Sequence, residues 1–295
     1  MSENPAAAPV APTATPRLPF DWRGLWLQVL PPVLGLALLV GIWALVAVGT
    51  GSSIPGPIET GRQALEVFSD PFYRKGPNDQ GIGWNVLNSL QRVGLGFGLA
   101  ALVGIPLGFL IGRFATLHRM VAPLISLLKP VSPLAWLPIV TLVVSAVSHG
   151  NDGWLPKSFV ISAITVTLCS LWPTVINTML GVAAVDRDLL NVARVLQLSW
   201  RKRVWTIVLP AALPLVFTGM RLSLGVGWMV LIAAEMLAQN PGLGKFVWDM
   251  FQNGSSQSLA LIMVAVFTIG LIGFFLDRVM VALQRSVSFD GGSAS

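Results

Sequence analysis

The sequence predicts an all-α polytopic membrane protein with six transmembrane helices, and three observations predict it. Charged residues make up 11% of the 295 residues, whereas soluble domains carry roughly 25%. Several apolar windows reach about 20 residues, the length at which a helix crosses a hydrocarbon core of roughly 30 Å. Arginine and lysine gather in alternate loops, the pattern of a chain whose cytoplasmic loops are basic.

The elements follow in order. Residues 1–19 are rich in Pro and Ala and read as a disordered cytoplasmic tail. They lack a basic start joined to a short apolar core, so they do not read as a signal peptide. Residues 20–285 read as one membrane domain. Span one covers about Leu30 to Val48, span two Leu90 to Ile111, span three Val121 to Val144. Span four covers about Phe159 to Leu180, span five Ala212 to Ala234, span six Ala260 to Val281. Residues 286–295, which end GGSAS, read as a second disordered tail.

Loop charges orient these spans. Arg17 and Arg23 precede span one, and Arg113 and Arg119 separate spans two and three. Arg187, Arg194, Arg201, Lys202 and Arg203 lie between spans four and five, and Arg278 and Arg285 end span six. The intervening loops, about residues 51–85, 148–157 and 238–258, carry nearly balanced charge. Both termini and the 181–210 region are therefore expected in the cytoplasm, and the other three loops outside. The segment SSIPGPIETGRQALEVF in the first external loop suits a short interfacial helix, and the remainder of that loop suits turns. Trp248 and Phe251 in the last external loop suit either a partner surface or the headgroup layer.

Three features stand out inside the bilayer. Span two carries Ala100, Gly104, Gly108 and Gly112 at steps of four, one helix face on which small side chains let backbones approach closely. Span three contains KPVSPLAWLP, which places Pro130, Pro133 and Pro138 where a straight helix is expected. Each proline removes a backbone donor. Two readings fit: a kinked or late-starting helix beside a translocation path, or a helix start at the cytoplasmic interface with one kink at Pro138. Trp136 lies in the same stretch. Span five carries the ionisable Arg221 and Glu235, fourteen residues and about 21 Å apart along a helix, too far to pair with each other. Intramembrane charge points to function, and snorkelling to either interface accounts for both residues equally well. Pro133, Trp136, Pro138, Arg221 and Glu235 are the candidate translocation or gating residues.

Composition excludes several classes. The single cysteine, Cys169, rules out an intramolecular disulfide and a multi-cysteine metal site, and it suits apolar packing. His118 and His149 are isolated, so no metal site is expected. Gly244-Lys245 lacks the glycine frame and the following Ser or Thr of a nucleotide-phosphate loop. No catalytic cluster or buried proton relay is visible, so the chain is not expected to be an enzyme or to bind a cofactor. A net charge of +6 spread over short loops does not read as nucleic-acid binding.

The stretch NVARVLQLSWRKRVWTIVLPAALP, Asn191 to Pro214, is polar enough to leave the bilayer and periodic enough to be helical. It resembles the signature of inner-membrane permease subunits of binding-protein-dependent ABC importers. That motif reads Glu-Ala-Ala, three residues, Gly, nine residues, Ile, two residues, Pro. Here its frame falls on Asn191, Val192, Ala193, Gln197, Ile207 and Pro210, with Asn191 and Gln197 in place of Glu and Gly and Val192 in place of one Ala. The NVA…LQLS form, GPNDQGIGWNVLNSLQRV, PVSPLAWLP and TGMRLSLGVGWMVLIAAEM are similar to the nitrate, bicarbonate and cyanate branch of that family. The resemblance covers about Pro31 to Leu283.

The resemblance implies a type I importer permease fold with cytoplasmic coupling helices between spans four and five, in a bacterial inner membrane. It implies docking of those helices on cytoplasmic ATPase subunits, which hold the ATP and Mg. It further implies an external or lipoprotein solute-binding protein and a second permease copy. Leu189, Val192, Leu196 and Leu198, with Val195, would supply the apolar docking side, and Arg194, Arg201, Lys202 and Arg203 the charge. From pattern alone, the same stretch also fits an amphipathic helix on anionic lipid. The expected function is ATP-driven import of a small anion, nitrate first, with bicarbonate, cyanate, sulfonate or taurine as alternatives. A secondary transporter or channel is the competing class, and the absence of a charge relay and of an internal repeat weighs against it.

Overall fold

The computed structural model describes residues 22–51, 53–76, 79–147 and 156–287. The expected tail at 1–19, most of the expected tail at 286–295, residues 148–155 of the second external loop and His149 lie outside the described residues. The chain divides into two compact units, residues 1–57 and 58–295. The first holds α1, Trp22–Gly49, an apolar helix whose Trp43 indole N–H donates to the Pro55 carbonyl at 3.1 Å.

The second unit begins with α2, Pro57–Ser69, followed by a turn region closed by one antiparallel bridge between Arg74 and Gln80. Ten helical elements complete it. They are α3 (Ile82–Arg113), α4 (Ala115–Leu128), α5 (Pro133–Val147), α6 (Lys157–Ala183) and α7 (Arg187–Val195). After these come α8 (Trp200–Arg203), a π-helical turn (Val204–Val208), α9 (Leu209–Ala238), α10 (Leu243–Asn253) and α11 (Ser256–Val287). α11 continues to Val287, past the expected end of the membrane domain at residue 285. Among the described residues, five helices are long and apolar enough to cross a membrane. The expectation of six such helices is corrected at span three. Val121 to Val144 is not one helix but parts of α4 and α5, broken at residues 129–132. Pro130 sits in the break, and Pro133 opens α5 where its missing N–H costs no helical bond. The two pieces still pack along one neighbour. Ile125 of α4 packs with Val175 and Met179 in the C-terminal half of α6, and Leu137 and Val144 of α5 pack with Ile161 in its N-terminal half.

α6 is the central helix, lying between α3 and α9. Its contact with α3 depends on a row of small residues. A Cβ at Gly104 would meet Thr174 Cγ2 at 3.0 Å, one at Gly108 the Val175 carbonyl oxygen at 2.6 Å, and one at Gly112 the Met179 carbonyl oxygen at 2.5 Å. Gly96 extends the row, since its Cβ would lie 2.7 Å from the Ala163 carbonyl oxygen. Gly94 and Gly98, off this face, meet nothing within 4 Å. On the opposite side, Ser170 Oγ donates to the Ser223 carbonyl at 3.1 Å and Ser223 Oγ to the Ser170 carbonyl at 2.5 Å. Close packing and inter-helix hydrogen bonds of this kind replace the hydrophobic drive that lipid cannot supply. Cys169 is buried on the same helix.

α10 was expected as loop within 238–258 and is a helix of eleven residues. Gly242 and Gly244 conceal it in the sequence, and both are there for close approach. A Cβ at Gly242 would collide with the Glu235 carboxylate, and one at Gly244 with the Ile232 carbonyl.

Candidate functional site

The Asn191–Pro214 motif builds a compact hairpin of short helices. Asp186 caps α7, its carboxylate accepting from the Asp188 amide at 2.9 Å. The helix ends in a Schellman motif, with the Gln197 amide donating to the Arg194 carbonyl at 3.0 Å and the Leu198 amide to the Ala193 carbonyl at 3.0 Å. That closure requires a left-handed residue at Gln197, whose φ is 49°. This is the position at which the resembled motif has glycine, the residue that takes a positive φ without strain. Ala193 is fully buried, and Leu190, Ile207 and Val208 pack with Val182, Ala212 and Val216. Leu190 and the motif's Ile position therefore anchor the hairpin to the ends of α6 and α9, and Pro210 lies exposed in the first turn of α9.

The outward side is apolar and unpaired. Leu189, Val192, Val195, Leu196, Trp200 and Trp205 are exposed, Val195 to 82%. Leu198 is half-buried and contributes less to this side than expected. Asn191, Arg194, Arg201 and Lys202 are also exposed. Arg203 differs from its basic neighbours. It is half-buried, its guanidinium donates to the Leu198 carbonyl at 3.5 Å, and its Nε is buried without an acceptor.

At the other end of the molecule a buried ion pair joins three helices. Arg92 Nη1 donates to Glu235 Oε1 at 3.0 Å, with the two side chains 5% and 0% exposed. Ser89, one turn before Arg92, donates to Glu235 at 2.9 Å and accepts from the Leu243 amide at 3.0 Å. The Gly244 amide donates to Glu235 Oε2 at 3.0 Å, and Arg92 also donates to the Pro241 carbonyl. The Glu235 carboxylate thus caps α10 while holding α3. The Arg92 guanidinium stacks on Phe159, 5.6 Å from the ring centroid. The snorkelling reading of Glu235 is corrected, because its carboxylate is wholly enclosed.

Arg221 has a partner on another helix. It forms a two-point ion pair with Asp277 of α11, and Arg278 shares that carboxylate at 2.6 Å. Each of the two span-five charges therefore pairs with a charge from another span. Arg92 and Asp277 lie inside the expected second and sixth spans and were the missed signal. The four do not converge. Arg92–Glu235 and Arg221–Asp277 are separate pairs, and Pro133, Trp136 and Pro138 lie on α5. No group of three or more His, Cys, Asp or Glu side chains suited to a metal exists among the described residues.

The long apolar helices, with a hairpin of short helices between α6 and α9, are those of a polytopic membrane protein. The chain belongs to the family described as binding-protein-dependent transport system inner membrane component, whose model matches residues 104–289. It is therefore a non-catalytic permease subunit of the ABC-importer class, multi-pass in an inner membrane. It is 36% identical over 260 residues to the nitrate import permease protein NrtB of Synechocystis sp., covering 88% of this chain and 90% of that one. It is also 36% identical over 267 residues to the bicarbonate transport system permease protein CmpB of Synechococcus elongatus, covering 90% and 91%. An inward-facing structure of the MetNI methionine ABC transporter matches with a TM-score of 0.59 at 13% identity, over 70% of this chain and 95% of that one. That likeness establishes the fold alone.

Proposed function

We propose that this chain forms the membrane pore of an ATP-driven importer of small oxyanions, nitrate or bicarbonate. The observation that carries the reading is its near full-length likeness to permeases named for those two anions. Two copies form the pore, each crossing the membrane six times, with the α4–α5 pair as one broken crossing and both termini in the cytoplasm. The outward face of α7 and α8 docks in a groove on the ATPase subunits, which carry the ATP and Mg. Leu189, Val192, Val195 and Leu196 supply the apolar contact, and Arg194, Arg201 and Lys202 meet acidic groups at its rim. ATPase closure draws the two hairpins together. Because Leu190 and Ile207 tie each hairpin to α6 and α9, that displacement reaches the spans and changes the side the pore faces. An external binding protein delivers the anion to the surface built by α2, α10 and their loops.

Proteoliposomes holding this chain, its ATPase and its binding protein test the reading. Nitrate, bicarbonate, cyanate and taurine are offered in turn with and without ATP. ATP-dependent accumulation of nitrate or bicarbonate is the expected result. Accumulation that ignores ATP and follows an ion gradient would overturn it.

A further inference from the structure

We infer that the break in the third crossing builds an anion transit site around Lys129. A cavity of about 190 Å³ opens there, lined by Lys129, Trp136, Cys169, Trp172, Pro173 and Val226 among others. Three helices place it at one height. Lys129 ends α4, about 21 Å from the start of that helix; Cys169 is about 18 Å along α6, and Val226 about 26 Å along α9. All three positions fall near mid-membrane. The Lys129 stem is too short to carry its ammonium to either headgroup layer, and an ammonium at that depth is functional by default.

Its partners are what distinguish it. Among the described residues, the arginines of the expected spans, Arg92, Arg221 and Arg278, all meet carboxylates. Lys129 meets none, and no carboxylate lines the cavity. Trp136 and Trp172 are half-buried, and among the described residues neither indole N–H donates a hydrogen bond. The lining therefore carries one ammonium-bearing side chain that no carboxylate among the described residues offsets, two indoles whose N–H groups are not committed elsewhere, and no acidic side chain. A small planar oxyanion meets that set. A cation is repelled by it, and a neutral solute leaves the charge unbalanced. The break at residues 129–132 is what holds the lysine there, since irregular backbone at membrane depth persists where it lines a cavity.

This site rests on the importer reading, and the test separates the two. The complete transporter is reconstituted with Lys129→Met, Lys129→Arg and Val226→Phe, and uptake of labelled nitrate and bicarbonate is read alongside binding-protein-stimulated ATP hydrolysis. With loaded binding protein in excess, Lys129→Met lowers uptake by about tenfold or more while hydrolysis stays within about twofold. Lys129→Arg restores uptake to within about threefold of the parent. Val226→Phe fills the cavity, leaves the charge, and lowers uptake with hydrolysis retained. Unchanged uptake in Lys129→Met overturns the site. So does a joint loss of uptake and hydrolysis that arginine does not restore, which marks a structural role. If the parent complex takes up neither anion under ATP, the importer reading has failed and the site falls with it.

Discussion

Gln197 holds a backbone angle that glycine holds without strain. Its φ of 49° closes the Schellman motif at the end of α7, and its side chain is exposed. Gln197→Gly is expected to keep or raise the stability of the hairpin, by up to about 1 kcal/mol. Gln197→Val, β-branched in the left-handed region, is expected to lower it by about 1–2 kcal/mol and weaken ATPase association. Thermal unfolding of the purified chain and co-elution with the ATPase measure both. Glu235 is the other residue whose removal has a definite outcome. Glu235→Gln leaves the Arg92 guanidinium buried beside a neutral amide, and breaking a buried pair costs about 3–5 kcal/mol. Replacing both, as Arg92→Met with Glu235→Gln, is expected to recover most of that loss in the same unfolding assay. Recovery is partial because Ser89 and the Leu243 and Gly244 amides lose the charged acceptor as well.

The α3–α6 contact fails first at its narrowest points. Gly108→Leu and Gly112→Leu would drive a side chain into the α6 backbone. The expected outcome is loss of monodisperse, detergent-soluble protein in size-exclusion chromatography. Gly94→Leu and Gly98→Leu, in open space on the same helix, are expected to leave the elution profile unchanged. The α7 face predicts a different kind of loss. Val192→Asp with Leu196→Asp introduces charge on exposed side chains, so the chain folds and unfolds at its normal temperature but no longer co-elutes with the ATPase. At this scale the sequence was readable wherever a local period governed the outcome. The steps of four from Ala100 to Gly112 mark one helix face, and the periodic run from Asn191 to Pro214 marks a helical excursion. It was not readable where a distant group decides. Glu235 is enclosed because Arg92, 143 residues earlier, pairs with it, and Arg221 is held by Asp277, 56 residues later. No single window contains either pair. α10 escaped notice because its start is folded back on Glu235 through two glycines that read as loop.

Across the whole molecule, low charge, apolar windows and alternating loop charge gave the polytopic helical class, because lipid leaves a chain so few ways to satisfy its backbone. The number of uninterrupted crossings was less legible. Hydropathy averages over Pro130 and Pro133, whereas helix geometry breaks at them. The motif spacing marks the stretch despite the substitutions at Asn191, Val192 and Gln197, and in the structure that stretch has a left-handed turn at Gln197 and a buried Ala193. What the molecule is proposed to do is convert a cytoplasmic closure into a change of pore access, with the exposed apolar side of the hairpin receiving that motion. The most direct measurement is nitrate accumulation in proteoliposomes driven by ATP, comparing the parent chain with the Val192→Asp, Leu196→Asp variant in the presence of equal ATPase and binding protein. The prediction is accumulation by the parent and none by the variant, although both chains insert and unfold alike. Equal ATP-driven accumulation by the two would contradict the account, because motion would then be reaching the pore by a route that does not pass through α7.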